Sequence, residues 1–267
     1  MAIKKKTLRG IQPNAGIEND YERKLVALIT AMHKSVEYWL KAAYKKHEPS
    51  TMAKDDSSAS ALNKVMRKLA SYWISRFNKA GPDIAKHFAT KAIERADSTL
   101  ERALKESGFA VEFKLTEKAN DVLQSTIQAN VSLIKSIASE HFTEIEGMVM
   151  RSVQVGGDLG GLAKNLEKRF GITKRRARFI SRDQNSKATA AITKVRQEEL
   201  GITQAKWLHS HAGKEPRPTH VAMNGQVYDI DKGMWDKDAD GKDKGRFVYP
   251  GELINCRCVS RSIVPRT

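Results

Sequence analysis

Gly156-Gly-Asp-Leu-Gly-Gly161 is the stretch on which the reading of this chain turns, with four glycines in six residues. So much backbone freedom is costly to fix in a helix or strand, and an element boundary is expected there. Before it, apolar residues recur at intervals of three and four, the period of a helix buried along one face. Beyond Gly201 they fall in short runs parted by Gly, Pro and Asp, the pattern of short strands and long loops. A phosphate-cradling loop is not the reading, because no Gly-Lys-Ser/Thr closes the stretch and no strand pattern leads into it.

Toward the N-terminus, the stripe Leu25, Leu28, Ile29, Met32, Val36, Leu40 and Ala43 predicts a helix over 21–46, ended by His47-Glu-Pro49. Ser50 to Ser60 reads as a loop. A second helix carries Leu62, Val65, Met66, Leu69, Trp73 and Phe77 and is expected to stop before Gly81-Pro82; a third runs from Asp83 to Ser107 and closes at Gly108. Phe109 to Leu115 alternates as a strand or an extended connector would. Thr116 is a good N-cap for a long helix carrying Leu123, Ile127, Val131, Ile134, Ala138, Ile145 and Val149. Past the glycines, a short helix stopped by Gly171 is followed by another, capped by Thr173 and stopped by Gly201.

The 267 residues carry 47 Lys+Arg against 31 Asp+Glu, a formal net charge of +16, and the surplus concentrates before residue 200. Such a field attracts polyanions whatever the backbone beneath it does. Its sharpest point is Lys164, Lys168, Arg169, Lys174, Arg175, Arg176, Arg178 and Arg182, which share residues 161–182 with one acid, Glu167. Double-stranded DNA, bound without sequence preference, or an acidic protein face are the partners this cluster suits. No apolar run approaches the roughly 20 residues needed to span a bilayer, so no membrane partner is expected, and a cytoplasmic start is expected from the N-terminal residues. Two cysteines exclude a disulfide framework.

The C-terminal part holds an ordered series: Arg169-Phe-Gly-Ile-Thr173, Arg176-Ala-Arg-Phe-Ile-Ser-Arg-Asp-Gln184, Lys206-Trp-Leu-His209, Pro216-Arg-Pro-Thr-His220, Met223-Asn-Gly-Gln-Val227, Tyr249-Pro-Gly251 and Asn255-Cys-Arg-Cys258. In order and spacing this resembles the phage Mu protein F-like family of minor head, or head morphogenesis, proteins of tailed bacteriophages, from about residue 151 to 260. His209, His220, Gly225, Cys256 and Cys258 are the motif positions. The family often has Ala-Arg-Thr-Glu where this chain has Ser181-Arg182-Asp183-Gln184, so a function of that Glu does not carry over to Gln184. The resemblance implies a structural protein of low copy number, bound near the portal inside the head, taken up during assembly in the host cytoplasm, and in some relatives ejected with the genome. Its partners would be the portal protein and other head proteins, and it implies no enzyme activity.

Several constellations carry chemistry on paper. Cys256 and Cys258, two apart, would face the same side of a strand, and with His209, His211 and His220 they include zinc-type ligands; two buried thiols, with no metal, are the preferred reading. A Cys-His nucleophile lacks a third group to orient its base. Asp236-Lys-Asp-Ala-Asp-Gly-Lys242 matches the first half of an EF-hand loop, but Phe247 stands where its bidentate Glu belongs, so a solvated turn is expected. His220, Arg217 and Asn224 suit either an acid–base set or the pinning of the 210–226 loop to a sheet, the second being preferred. Trp39, Trp73, Trp207 and Trp235 read as core or interface anchors.

The expected architecture is therefore mostly α: a basic flexible tail over 1–20, a helical bundle or arm over 21–155, and a small α+β domain over 156–267. The expected function is a phage minor head protein with no catalytic residue, cofactor or metal. The alternatives are a metal-dependent nucleic-acid hydrolase using histidines near His220 and a general DNA-binding protein.

Overall fold

The computed structural model describes residues 5–46, 56–155, 158–212, 215–241 and 244–265. In chain order the elements are β1 (Lys5–Thr7), α1 (Ala15–Lys46), α2 (Asp56–Lys105), α3 (Glu117–Gln154), α4 (Leu159–Glu199), β2 (Gln204–Leu208), α5 (Pro218–Ala222), β3 (Val227–Asp229), β4 (Met234–Asp236), β5 (Arg246–Val248) and β6 (Val259–Pro265). The protein is mostly α, with long N-terminal helices and a small β-containing C-terminal region, as its periodicity indicates. No described helix is long and apolar enough to cross a membrane.

Packing divides the chain into two units. One comprises Met1–Glu18, Lys86–Ile127 and Ser181–Thr267; the other comprises Asn19–Ala85 and Gln128–Ile180. This grouping differs from a linear division at the glycines, because α2, α3 and α4 each contribute to both units. Of the glycine stretch, 156–157 lie outside the described residues, while Gly160 and Gly161 sit in the first turn of α4. There Asp158 accepts the Gly161 N–H through its side chain at 2.8 Å, capping the helix.

Three helix boundaries differ from expectation. The helix runs through Gly81-Pro82 because buried Phe77 and Ala85 hold the chain on either side, against the roughly 3 kcal/mol that an interior proline costs. Gly171 likewise stays helical, and Thr173 is not a cap. Its hydroxyl instead donates to the Arg169 carbonyl at 2.9 Å inside continuous α4. The expected loop over 50–60 lies largely outside the described residues, and α2 begins at Asp56. Thr116 does cap α3, accepting the Ala119 N–H at 3.2 Å, and Gly201 ends α4 with a positive φ of 65°. Between α2 and α3 the chain is a connector without regular structure, with Phe109, Val111 and Phe113 turned onto apolar neighbours.

Of the expected flexible tail over 1–20, residues 1–4 lie outside the described residues and the described part is structured. β1 pairs antiparallel with β6, Lys6 opposite Val264, and the segment after it buries Leu8 and Ile11 against Ile93, Leu100, Leu104, Ile192 and Val264. Asn14 then starts α1 by accepting the Ile17 N–H at 3.1 Å. The four-stranded sheet has the order β1-β6-β2-β3, antiparallel throughout, with Trp207 opposite Ser260; β4 and β5 form a separate hairpin, Trp235 opposite Phe247. In β2 the alternation puts Ala205 and Trp207 on the buried face.

Beside this sheet, Arg196 of α4 is nearly fully buried, with 2% of its side chain exposed. It forms a two-pronged pair with Asp97, Nε to Oδ1 at 2.9 Å and Nη2 to Oδ2 at 2.8 Å, a further bond to Glu199, and a cation–π contact with Phe113. Replacing it leaves a part-buried carboxylate without its counter-charge. Arg196→Ala is expected to cost about 3–5 kcal/mol in urea unfolding, whereas a loss below about 1 kcal/mol would show that water compensates Asp97.

In the other unit, buried His141 bonds Thr173 Oγ1 through Nδ1 at 2.9 Å, while His33 stacks on Phe170 at 4.2 Å. Burial, with Arg169 nearby, depresses the His141 pKa from 6.5 to about 4. The unfolded chain therefore binds this proton from pH 6.5 downward while the folded chain does so only near pH 4. Stability is expected to fall as pH drops through that window, by at most about 3 kcal/mol, and His141→Gln should flatten the profile.

Candidate functional site

Four segments of the first unit converge on one imidazole. Pro218 at the start of α5 presets the backbone for a single helical turn that turns His220 inward, where it is 2% exposed. β4 delivers Asp236, fully buried; the turn before β6 delivers Cys256 and Cys258, each 4% exposed; and β2 supplies Trp207, whose indole meets the His220 ring edge-on at 5.0 Å.

His220 Nε2 lies 3.1 Å from Asp236 Oδ2, and Nδ1 lies 3.4 Å from Cys256 Sγ and 3.7 Å from Cys258 Sγ. A carboxylate only accepts, so this network assigns the ring hydrogen to Nε2 and leaves the Nδ1 lone pair facing the sulphurs. Cys258, hydrogen-bonded to the Cys256 sulphur, holds that thiol well below the usual range, whereas the neighbouring Cys256 and burial hold the Cys258 thiol above it. The two cysteines form no disulfide in this structure. His220, Cys256 and Cys258 are the residues that could hold a metal ion.

The turn that presents the cysteines is fastened by α4 and the loop before α5. Asp183 accepts the Asn255 N–H at 2.6 Å and pairs with Lys187 at 2.8 Å. Arg182 donates to Asn255 Oδ1 at 3.1 Å, and Arg217 donates to the Ile254 carbonyl at 3.0 Å. Asn255 itself has a φ of 59°, and Gly251, at 88°, sits so close to α4 that a Cβ would lie 2.7 Å from that of Ala190. The result is an open cleft of about 770 Å³ lined by Arg182, His209, Arg217 and His220 among others, with both cysteines at its wall.

The alternative acid–base set of His220, Arg217 and Asn224 does not assemble, although Asp236 supplies the third group that a Cys–His pair was expected to lack. His220 faces Asp236 and the cysteines, Arg217 holds a carbonyl, and Asn224 accepts the His209 N–H at 3.0 Å, so these residues pin the loop to the sheet. Gly225, with φ of 80°, closes that loop by donating its N–H to the Trp207 carbonyl at 2.8 Å. His209 is buried and its pKa lowered, by desolvation first and then by His211 and His220. The EF-hand likeness dissolves because Asp236 is committed to His220. Asp183 and Asp236 were missed as site residues: the first stood in a helix of mixed charge, the second in what read as a solvated turn. Of the tryptophans, Trp73 and Trp207 are buried, while Trp39 and Trp235 are more than half exposed.

The basic cluster is only partly available. Arg176 pairs with Glu140, Arg178 with Glu22 at 3.0 Å, Arg169 donates to the Glu140 carbonyl, and Lys174 lies over Phe170 at 4.9 Å. With Arg182 on Asn255, and Arg178 exposed but paired, this leaves Lys164, Lys168 and Arg175 as the exposed members outside these contacts.

This order of features, helix α4 followed by a His-anchored loop and a Cys-x-Cys turn, has known counterparts. Residues 143–261 match the family described as Phage Mu protein F like protein. That segment is Mu F-like. A Haemophilus influenzae protein described as uncharacterized is 31% identical over 208 residues, covering 76% of this chain. The chain spans 43% of that relative's length. No solved structure matches the chain. The Mu F-like segment contains the whole His220 cluster and the Asp183 anchor, so the site lies in the part shared with the family. Asp183→Ala is expected to cost about 2–3 kcal/mol and to raise hydrogen exchange at the Cys256 amide, with Asp183→Asn losing less. Unchanged exchange at Cys256 would show that the turn holds without this anchor.

Proposed function

We propose that this chain is a minor capsid or head morphogenesis protein of a tailed bacteriophage, docking on the portal and neighbouring head proteins during assembly in the host cytoplasm and residing within the virion head. The observation that carries this reading is the Mu F-like match over residues 143–261. It is supported by the way the histidine loop is tied to the sheet, since His220, Arg217 and Asn224 hold structure and form no acid–base set. The protein is read as structural and not catalytic.

Contact with packaged double-stranded DNA is part of the proposal, through the exposed Lys164, Lys168 and Arg175. Coexpression with its phage's portal protein is expected to yield a copurifying complex. Separately, log K for duplex DNA should fall with log salt at a slope of about −2.7 if three phosphates are neutralised, and reversing these three residues to Glu should flatten it. A portal protein that elutes alone would overturn the docking, and salt-independent binding would remove DNA from the partners.

A further inference from the structure

We propose that His220, Cys256 and Cys258 form a zinc site, with Cys256 Sγ, Cys258 Sγ and His220 Nδ1 as ligands. This goes beyond the assembly reading and does not depend on it. Zn–S bonds of about 2.3 Å and a Zn–N bond of about 2.05 Å at a tetrahedral angle place nitrogen and sulphur about 3.55 Å apart. The two separations found, 3.4 and 3.7 Å, bracket that value. Hydrogen bonding accounts for this arrangement less well, because Nδ1 has one lone pair and accepts one S–H at a time, whereas both sulphurs face it.

The surroundings match what a zinc site needs. Asp236 binds the other ring nitrogen, forming the carboxylate–histidine pair that fixes a metal-bound imidazole's tautomer and orientation. Trp207 packs edge-on against the same ring, and the Gly251 N–H points at Cys256 Sγ from 3.4 Å, where it would stabilise a thiolate. Two sulphurs and one imidazole are a donor set that favours zinc over magnesium, calcium or manganese. The fourth position faces the cleft that His209 also lines, leaving it to water or to an incoming donor. Binding replaces whatever S–H bonds the two sulphurs still hold by S–Zn bonds and releases those protons to solvent, while the imidazole enters neutral.

The test uses the full-length chain purified from zinc-supplemented culture. Elemental analysis is expected to find about one zinc per chain; less than about 0.2 would overturn the proposal. Cobalt(II) added to chelator-stripped wild-type protein should show a thiolate-to-cobalt charge-transfer band and the strong visible bands of tetrahedral cobalt, whereas a spectrum of hexaaqua cobalt would overturn it. Cys256→Ser, Cys258→Ser and His220→Ala should each abolish the metal, and Asp236→Asn should weaken zinc binding about 10- to 100-fold against a chromophoric chelator. Should those variants fail to fold, the wild-type metal content and cobalt spectrum decide alone. Zinc-free wild type whose Cys256 alkylates rapidly with iodoacetamide would make the cluster a cysteine nucleophile with His220 and Asp236 behind it; a Cys256–Cys258 disulfide would equally overturn the site.

Discussion

The His220 imidazole joins three segments that the chain supplies far apart. Its two nitrogens take different partners, Asp236 of β4 on one side and the cysteines before β6 on the other, so α5, the β4–β5 hairpin and the last strand are tied through a single ring. The ring is buried, and an unpaired polar atom there would carry a desolvation cost. Trp207 leaves it little room to rotate. The sheet accommodates this point because β2 brings Trp207 to the buried face while β6 runs antiparallel beside it. Small strands of three to seven residues bury little apolar surface of their own, which makes such a polar hub valuable to the C-terminal part.

The helical unit manages its charge differently. Its densest run of basic residues lies on α4, and acids from other helices come to meet them: Glu22 from α1 reaches Arg178, and Glu140 from α3 reaches Arg176. Partly exposed pairs of this kind add little stability individually. They do lower the local field, so the surface offered to a polyanion is narrower than the run of Lys and Arg implies. Outside these pairs, Lys164, Lys168 and Arg175 are exposed along one stretch of one helix.

The cysteine turn is fastened by consecutive residues of α4. The carboxylate that holds the Asn255 N–H belongs to Asp183, and Gln184 donates to that same carboxylate at 3.1 Å. Asp183 thus serves the turn while Gln184 supports it. Arg182, beside it, grips Asn255 and is committed to structure.

Much was legible in the residues alone. The helical faces, the cap at Thr116, the stop at Gly201 and the short strands beyond it all follow from local periodicity and backbone chemistry, which act over a few neighbouring residues. The ordered C-terminal motifs likewise pointed to the Mu F-like segment. Other features depended on partners distant in the chain. The continuity of α2 through Pro82 and of α4 through Gly171, and the pairing of β1 with β6, arise because burial elsewhere outweighs a local penalty of a few kcal/mol. Asp236 read as part of a solvated turn and Asp183 as one residue of a charged helix, because nothing nearby in sequence names His220 or Asn255 as their partners. Sequence determined which residue types were available and which local elements they form; only the tertiary structure decided which donors meet, because a contact across tens of residues is set by packing and leaves no local periodicity to read.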